Sequence, residues 1–338
     1  MKPKAAILAA ALVALGACNT FQNALGGEGA DGAHFVSLFW VFVAVCAVMY
    51  AAIVGSFLLG LWRARRPRAP LTVDEGKHQE EPAIAGRLLA AWAILIAVGL
   101  TILTVASFFT DRSNAKSGEH PQLLVNVTGN QWWWDVQYSS GDVSKSFRTA
   151  NELHLPVGVP VEVKLQSNDV IHSFWVPNLA GKQDLIPGRV TDIQLLARKT
   201  GLFRGQCAEF CGVQHAHMAL DVTVESLENF RKWVTLQQRA AFAPQSPVEL
   251  AGYRFFTARN CSACHAITGS PASATIGPDL THFASRQSIA AGTLPMSAAN
   301  VQAWIADPQR QKPGSNMPKV GLTPDELRAL TAFMERLK

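Results

Sequence analysis

Hydrophobic and polar positions divide the chain into three regimes. In the first, residues 32–62 and 88–110 carry no Asp, Glu, Lys or Arg. Each run exceeds the roughly 20 residues an α-helix needs to cross a bilayer. The pattern predicts a hairpin over 33–110, with spans at about 35–62 and 88–110. Arg63, Arg65, Arg66 and Arg68 lie between the runs, which puts the connection on the cytoplasmic side and both outer ends on the exported side. Trp40, Trp62 and Trp92 fall toward span ends, as interfacial aromatics do. Cys46, mid-span, is expected to be a small packing residue.

Over 120–228 the period shortens. Apolar residues alternate in short runs at 123–127, 132–138, 161–166, 190–196 and 219–224, with turns such as Pro156-Val157-Gly158-Val159-Pro160 between them. This predicts an all-β Greek-key sandwich or small barrel. Residues 227–241 look helical, and 229–246 form a helix and linker. The third regime, 247–338, is helical. It opens on a capping box, Ser246-Pro247-Val248-Glu249, and its last helix follows the cap Thr323-Pro324-Asp325-Glu326. Leu327, Leu330, Met334 and Leu337 form the apolar stripe of that helix.

Residues 1–17 read as a signal peptide: Lys2 and Lys4, an apolar run over 5–15, then Leu15-Gly16-Ala17-Cys18. That ending suits a lipoprotein cleavage box with Cys18 lipidated, or an ordinary cleaved signal. Composition agrees with a membrane protein: 49% hydrophobic and only 16% charged residues among 338. The net charge of +5 is mild and sits largely in the arginine cluster, a topology signal before it is a nucleic-acid patch. Of six cysteines, none is left over for a disulfide framework.

The densest chemistry lies in Cys207-Ala208-Glu209-Phe210-Cys211-Gly212-Val213-Gln214-His215-Ala216-His217-Met218. Two thiols, an imidazole and a thioether within one loop suit a soft transition metal, and the terminal Met favours copper. Two cysteines favour a pair of coppers bridged by thiolates. The rival is a Cys207–Cys211 disulfide in an exported protein. His172, in Asp169-Val170-Ile171-His172-Ser173, is the candidate second imidazole. His217 reads as a solvated or core histidine.

These motifs resemble subunit II of the haem–copper cytochrome c oxidases. The matching pieces include Asp169-Val170-x-His172-Ser173, Ile186-Pro187-Gly188-Arg189, Gly205-Gln206-Cys207, the Cys-x-Glu-x-Cys-Gly-x-x-His-x-x-Met loop and Gln131-Trp132-x-Trp134. The resemblance covers roughly residues 30 to 230. It implies a cupredoxin fold and a dinuclear copper A centre. Cys207 and Cys211 would be its bridging thiolates, His172 and His215 its imidazoles, Met218 its weak ligand and Glu209 a carbonyl ligand. The Glu209 carboxylate would also reach a magnesium at the subunit I boundary. Trp132 would take in electrons from an external cytochrome c, although a Trp132-Trp133-Trp134 run is more often core or interface. Lys182, Asp184 and Arg189 match a stretch packed on subunit I, or are an ordinary solvated loop. The family's Glu near the cytoplasmic end of the second span has no clean counterpart; Arg87 is nearest, with Glu80 and Glu81 upstream.

Cys261-Ser262-Ala263-Cys264-His265 is the attachment motif for c-type haem. Cys261 and Cys264 would bond the porphyrin and His265 ligate the iron. Met296, Met317 and Met334 compete for its other side, and Met317, in a loop before the last helix, is expected to win. This domain resembles class I cytochromes c, in which the Pro278 carbonyl would orient His265. Together the resemblances imply the electron-intake subunit of a respiratory cytochrome c oxidase. Electrons would pass from cytochrome c or another c-type donor through haem c and copper A to subunit I, where oxygen is reduced to water with proton pumping. Subunits I and III are the implied partners, and the location is a bacterial plasma membrane with two spans and exported copper and haem domains. A copper-A-containing subunit of a nitric oxide reductase is the alternative, with a copper-delivery protein as a third reading. The copper ligands disfavour a quinol oxidase, and the membrane hairpin disfavours nitrous oxide reductase.

Overall fold

The computed structural model describes residues 21–65, 80–117, 121–139 and 142–338. The signal peptide at 1–17, Cys18, Arg66 and Arg68 lie outside them, as do the side chains of Glu80 and Glu81. Residues 34–116 form one compact unit and the rest of the described chain another.

The first unit is a pair of long helices, α1 (Ala30–Ala64) and α2 (Glu80–Ser117). Ala30–Ala64 and Gly86–Asn114 are long and apolar enough to cross a membrane. The helices approach closely at Gly99, where a Cβ would sit 3.4 Å from Val45. Near their ends His34 Nδ1 lies 2.7 Å from Asn114 Oδ1. Cys46, expected to be a packing residue, is free and exposed on α1.

The second unit opens with a β-sandwich. Its strands are β1 (Leu123–Asn130), β2 (Trp133–Ser139), β3 (Phe147–Ala150), β4 (Glu152–Pro156), β5 (Val161–Ser167), β6 (His172–Phe174), β7 (Gln183–Leu185), β8 (Thr191–Leu195), β9 (Gly201–Gln206) and β10 (Ala219–Glu225). One sheet runs β3-β2-β1-β5-β8, another β4-β10-β9, with β6-β7 as a separate pair. Strand β5 shows why these residues extend: Val161, Val163 and Leu165 turn inward while Glu162 and Lys164 are half-exposed. Val127, Trp134, Leu153, Leu155, Leu220 and Val222 join them in one core. Strands β3, β4, β6, β7 and β9 had no clear alternation. In β4 both Glu152 and His154 are turned into protein, so its polar positions do not mark solvent.

A helix, α3 (Leu227–Gln237), shorter than expected from the sequence, lays Trp233 on His154 with ring centroids 4.0 Å apart. The helical domain follows: α4 (Pro247–Ala258), the short pair β11 (Ser288–Ile289) and β12 (Leu294–Pro295), α5 (Ala298–Ala306), α6 (Pro308–Gln311) and α7 (Pro324–Arg336). Both predicted capping boxes form, at Ser246–Glu249 and Thr323–Glu326. Helices α4 and α7 cross at Gly252, where a Cβ would lie 2.1 Å from the Ala329 carbonyl oxygen, so only glycine fits. Phe256, Leu330, Phe333, Met334 and Leu337 fill the core beneath.

Candidate metal and haem centres

The sulfur loop spans the gap between β9 and β10, whose antiparallel pairing brings Gln206 opposite Ala219. The Cys207 amide donates to the Met218 carbonyl at 3.0 Å and closes the loop's neck. Gln206 Nε2 stiffens it from within, at 3.3 Å from the carbonyl oxygens of His215, Ala216 and Met218. The β6–β7 pair delivers His172 from a distant part of the sequence, and the Ala208 amide docks on the Ser173 carbonyl at 3.0 Å.

The donors converge. Cys207 Sγ and Cys211 Sγ are 3.7 Å apart, with Glu209 O 3.3 Å from Cys207 Sγ. His172 Nδ1 lies 3.9 Å from Cys207 Sγ. Around Cys211 Sγ, His215 Nδ1 is at 3.7 Å and Met218 Sδ at 3.9 Å. His172, Cys207 and Cys211 offer donor atoms all within 4.8 Å of one another, and all three are buried. A disulfide requires sulfurs about 2 Å apart, so the rival pairing is not present and both cysteines are free. Sulfur–sulfur contact pulls the Cys207 pKa down to about 3 and pushes that of Cys211 up. Desolvation opposes the charged form of His172, but Cys207 and Asp169 outweigh it and raise its pKa. Two thiol sulfurs, the thioether and the His172 nitrogen, all buried, and the half-buried His215 nitrogen face one space and fit a soft metal such as copper.

Three residues around the donors went without a role in the sequence reading. Asp169 Oδ1 lies 2.8 Å from His172 Nε2, which leaves Nδ1 toward the sulfurs. Its other oxygen accepts from the Gln131 amide at 2.6 Å. Gln131 Nε2 in turn donates to the Cys211 carbonyl at 2.7 Å. Both residues adjoin predicted site residues, and that proximity was the available signal. At Gly129 a Cβ would come within 2.8 Å of the His172 ring, so the strand beside the imidazole needs glycine. The third, Lys312, gave no local signal at all.

The tryptophan run divides by burial. Trp134 is core, Trp133 is half-buried, and Trp132 is 8% exposed with Nε1 donating to the Cys211 carbonyl at 2.9 Å. His217 is exposed, with Nδ1 2.7 Å from Gln214 Oε1. Lys182 and Arg189 are exposed on a loop and Asp184 half-exposed.

In the helical domain Cys261–Ala263 forms a single 3₁₀ turn after α4, and both motif cysteines are free and partly buried. The His265 Nδ1–H donates to the Pro278 carbonyl at 2.8 Å, leaving Nε2 for a metal. Burial lowers the His265 pKa, which favours the neutral, ligating imidazole. Gly277 lets the chain pass the ring, since a Cβ there would lie 2.7 Å from Cε1. Among the methionines, Met334 is committed to the core and Met296 packs partly buried against it. Met317 is half-buried in the loop before α7, its carbonyl accepting from Gln309 Nε2 at 2.9 Å.

Family comparison agrees with this geometry. Residues 139–226 match the family "Cytochrome C oxidase subunit II, periplasmic domain", and residues 250–338 match "Cytochrome c". The chain is 30% identical over 302 residues to cytochrome c oxidase subunit 2 of Alkalihalophilus pseudofirmus, covering 88% of this chain and 85% of that one. It is 29% identical over 330 residues to the Bacillus subtilis subunit, covering 92% and 90%. The solved periplasmic domain of the Bradyrhizobium japonicum subunit is 32% identical, with a TM-score of 0.34 over 36% of this chain and 96% of that domain. The chain therefore belongs to the cytochrome c oxidase subunit II family, in a form that carries a cytochrome c domain after its periplasmic β-domain.

Proposed function

We propose that this chain is the electron-intake subunit of a respiratory oxidase in a bacterial plasma membrane. It passes electrons from cytochrome c or another c-type donor, through a covalent haem c and a dinuclear copper A centre, to subunit I, where oxygen is reduced to water with proton pumping. Its family is that of an oxidoreductase complex, and its two membrane-capable helices and periplasmic domain fit a membrane protein with exported domains. When bound, the copper pair and the haem supply one-electron redox chemistry.

The observation that carries the reading is the convergence of Cys207, Cys211, His172, His215 and Met218 on one space, in a chain that also holds a haem motif whose histidine is already oriented. Cys207 and Cys211 would hold the coppers as bridging thiolates, with His172, His215, Met218 and the Glu209 carbonyl around them. The Glu209 carboxylate would serve a magnesium at the boundary with subunit I, and subunit III would complete the assembly. Cys261, Cys264, His265 and Met317 would hold the haem. The chain's own contribution is rigidity: strand pairing, the Gln206 fan and Asp169 fix the donors, so they move little when the charge changes. Trp132, bonded to the ligand loop, would carry electrons toward it.

The test is spectroscopic and enzymatic. The full chain, expressed with its complex, should show one low-spin c haem and a mixed-valence copper pair, and the complex should consume oxygen. Consumption of nitric oxide with no oxygen turnover would overturn the acceptor assignment in favour of the nitric oxide reductase reading.

A further inference from the structure

Lys312 is the chain's least expected buried charge. It is 2% exposed, yet no carboxylate among the described residues pairs with it. Its ammonium instead meets three backbone carbonyls: Trp132 O and His217 O at 2.7 Å and Ala290 O at 3.0 Å. Three acceptors match the three N–H bonds of a lysine head group. They come from three places. Trp132 precedes β2, His217 lies in the sulfur loop beside Met218, and Ala290 belongs to the helical domain's own β11–β12 turn.

The surroundings repeat this bridging. The neighbouring Pro313 carbonyl accepts from Gln214 Nε2 at 2.8 Å, and Gln214 adjoins His215. At Gly314 a Cβ would lie 3.3 Å from Val213 and 3.7 Å from the Trp132 ring, so this turn lies against both. Asn316 Nδ2 approaches the Gln131 carbonyl at 3.4 Å. One residue later comes Met317. The Ala290 turn is also unusual: Ala290, Ala291 and Gly292 all have positive φ, at 54°, 58° and 73°. Two non-glycine residues in the left-handed region cost stability that surrounding contacts must offset. Thr293 Oγ1 donates to Ala290 O at 2.7 Å within the domain, and further contacts cross the domain boundary, with the Ala219 amide donating to Ala291 O at 3.0 Å and Arg204 to Gly292 O at 3.4 Å.

A lysine serving only its own domain would bind only that domain's carbonyls. Two of the three here belong to the β-sandwich. Removing a buried cation from water is costly, and such a group persists where fixed dipoles replace the solvent.

We propose that Lys312 is a positioning residue that pins the Met317 loop onto Trp132 and the sulfur loop, fixing the haem domain on the copper domain for electron transfer between them. Its bond to His217, next to Met218, and the Pro313–Gln214 bond, next to His215, are two short links from the haem loop to the copper-ligand segment. The electron-transfer half rests on the function proposed above, whereas the docking half stands on these contacts alone.

The experiment uses the full chain in detergent, loaded with haem and copper, as wild type, Lys312→Met and Lys312→Gln. Intact c-haem and copper spectra establish that each variant has folded. Hydrogen exchange at the Ala219 amide reads docking, because its acceptor is on the other domain. Photoreduction of the haem, followed by absorbance at the copper, reads transfer. Lys312→Met is expected to speed Ala219 exchange by about tenfold or more and to slow haem-to-copper transfer by a similar factor, with Lys312→Gln in between. Unchanged exchange in a spectrally intact Lys312→Met chain overturns the clamp. Faster exchange with unchanged transfer leaves the clamp and overturns its role in electron flow. Should Lys312→Met fail to fold, Gln214→Leu removes the neighbouring bridge and must shift Ala219 exchange in the same direction, and no shift there is fatal to the proposal. A wild-type chain that binds no copper pair counts against the functional reading, while its Ala219 exchange still reads the clamp.

Discussion

Asp169→Asn is the sharpest probe of the copper-binding half of the molecule. The Asp169 carboxylate accepts three hydrogen bonds: His172 Nε2 at 2.8 Å and the Val170 amide at 2.7 Å on Oδ1, and the Gln131 amide at 2.6 Å on Oδ2. An asparagine has one oxygen. Its NH₂ must face either the Gln131 N–H or His172 Nε2–H, and both are donors. If the amide oxygen takes the place of Oδ1, the charge-assisted Gln131 bond is lost; if it takes the place of Oδ2, the His172 and Val170 bonds are lost, so at least one bond goes, at about 1.5–3 kcal/mol. At about 1.4 kcal/mol per tenfold, that is roughly 10- to 100-fold in affinity, the range found for partners of metal-bound histidines. The Asp169 side chain is 29% exposed, so water softens the loss and the lower end is expected. Copper affinity is read by competition against a chelator of known strength, following the visible spectrum, with circular dichroism to confirm the fold. Affinity within about threefold of wild type, with an unchanged spectrum, would refute the claim that the Asp169 carboxylate supports the copper site through its His172 and Gln131 bonds.

Three further outcomes are expected. Gly252→Ala drives a methyl into the Ala329 carbonyl and to 2.7 Å from Phe333 Cβ, neither of which can swing aside. It should cost about 1–3 kcal/mol in denaturant unfolding followed at the haem, and a negligible shift would mean that α4 and α7 separate freely. Met317→Leu should abolish the absorption band of methionine-ligated ferric haem. Met334→Leu, a near-isosteric core change, should keep the band at a cost under about 1.5 kcal/mol; the reverse pattern would reassign the ligand. For His154, desolvation disfavours the charged ring, but Glu225 at 2.9 Å and Glu152 at 3.7 Å outweigh it and raise the pKa above 6.5. A raised folded pKa means stabilisation that is complete below about pH 6.5 and fades as pH rises through the folded value. The stability difference between wild type and His154→Gln should therefore shrink on going from mildly acidic to alkaline buffer, and a difference that grows instead would contradict this.

How much was legible in the sequence follows from how local each signal was. The hairpin showed through because solvent charges stop for the length of a bilayer. Strands such as β5 showed through because one face is wet. The five-residue β4 did not, because Glu152 and His154 are polar yet paired inside, with Arg286 of the helical domain 3.7 Å from Glu152. The candidate metal donors stood out because four of them fall within twelve residues of one loop. His172 could be named a candidate, but its ligand role came only from the family resemblance, since nothing in its own segment says that β6 brings it to sulfur 35 residues away. Lys312 was out of reach altogether. A lysine in a Pro-Gly turn ordinarily reads as solvated, and its partners Trp132 and His217 lie 180 and 95 positions away.

The burial of the Lys312 head group has a consequence for how the protein responds to its medium. Dissolved ions weaken attraction between charges that meet through water, within about 10 Å at 0.1 M salt. They have little access to the Lys312 head group, which is 2% exposed and held by main-chain carbonyls. On the proposed function, raising the ionic strength should thus leave haem-to-copper transfer within the chain untouched and act only on the encounter with a separate electron donor.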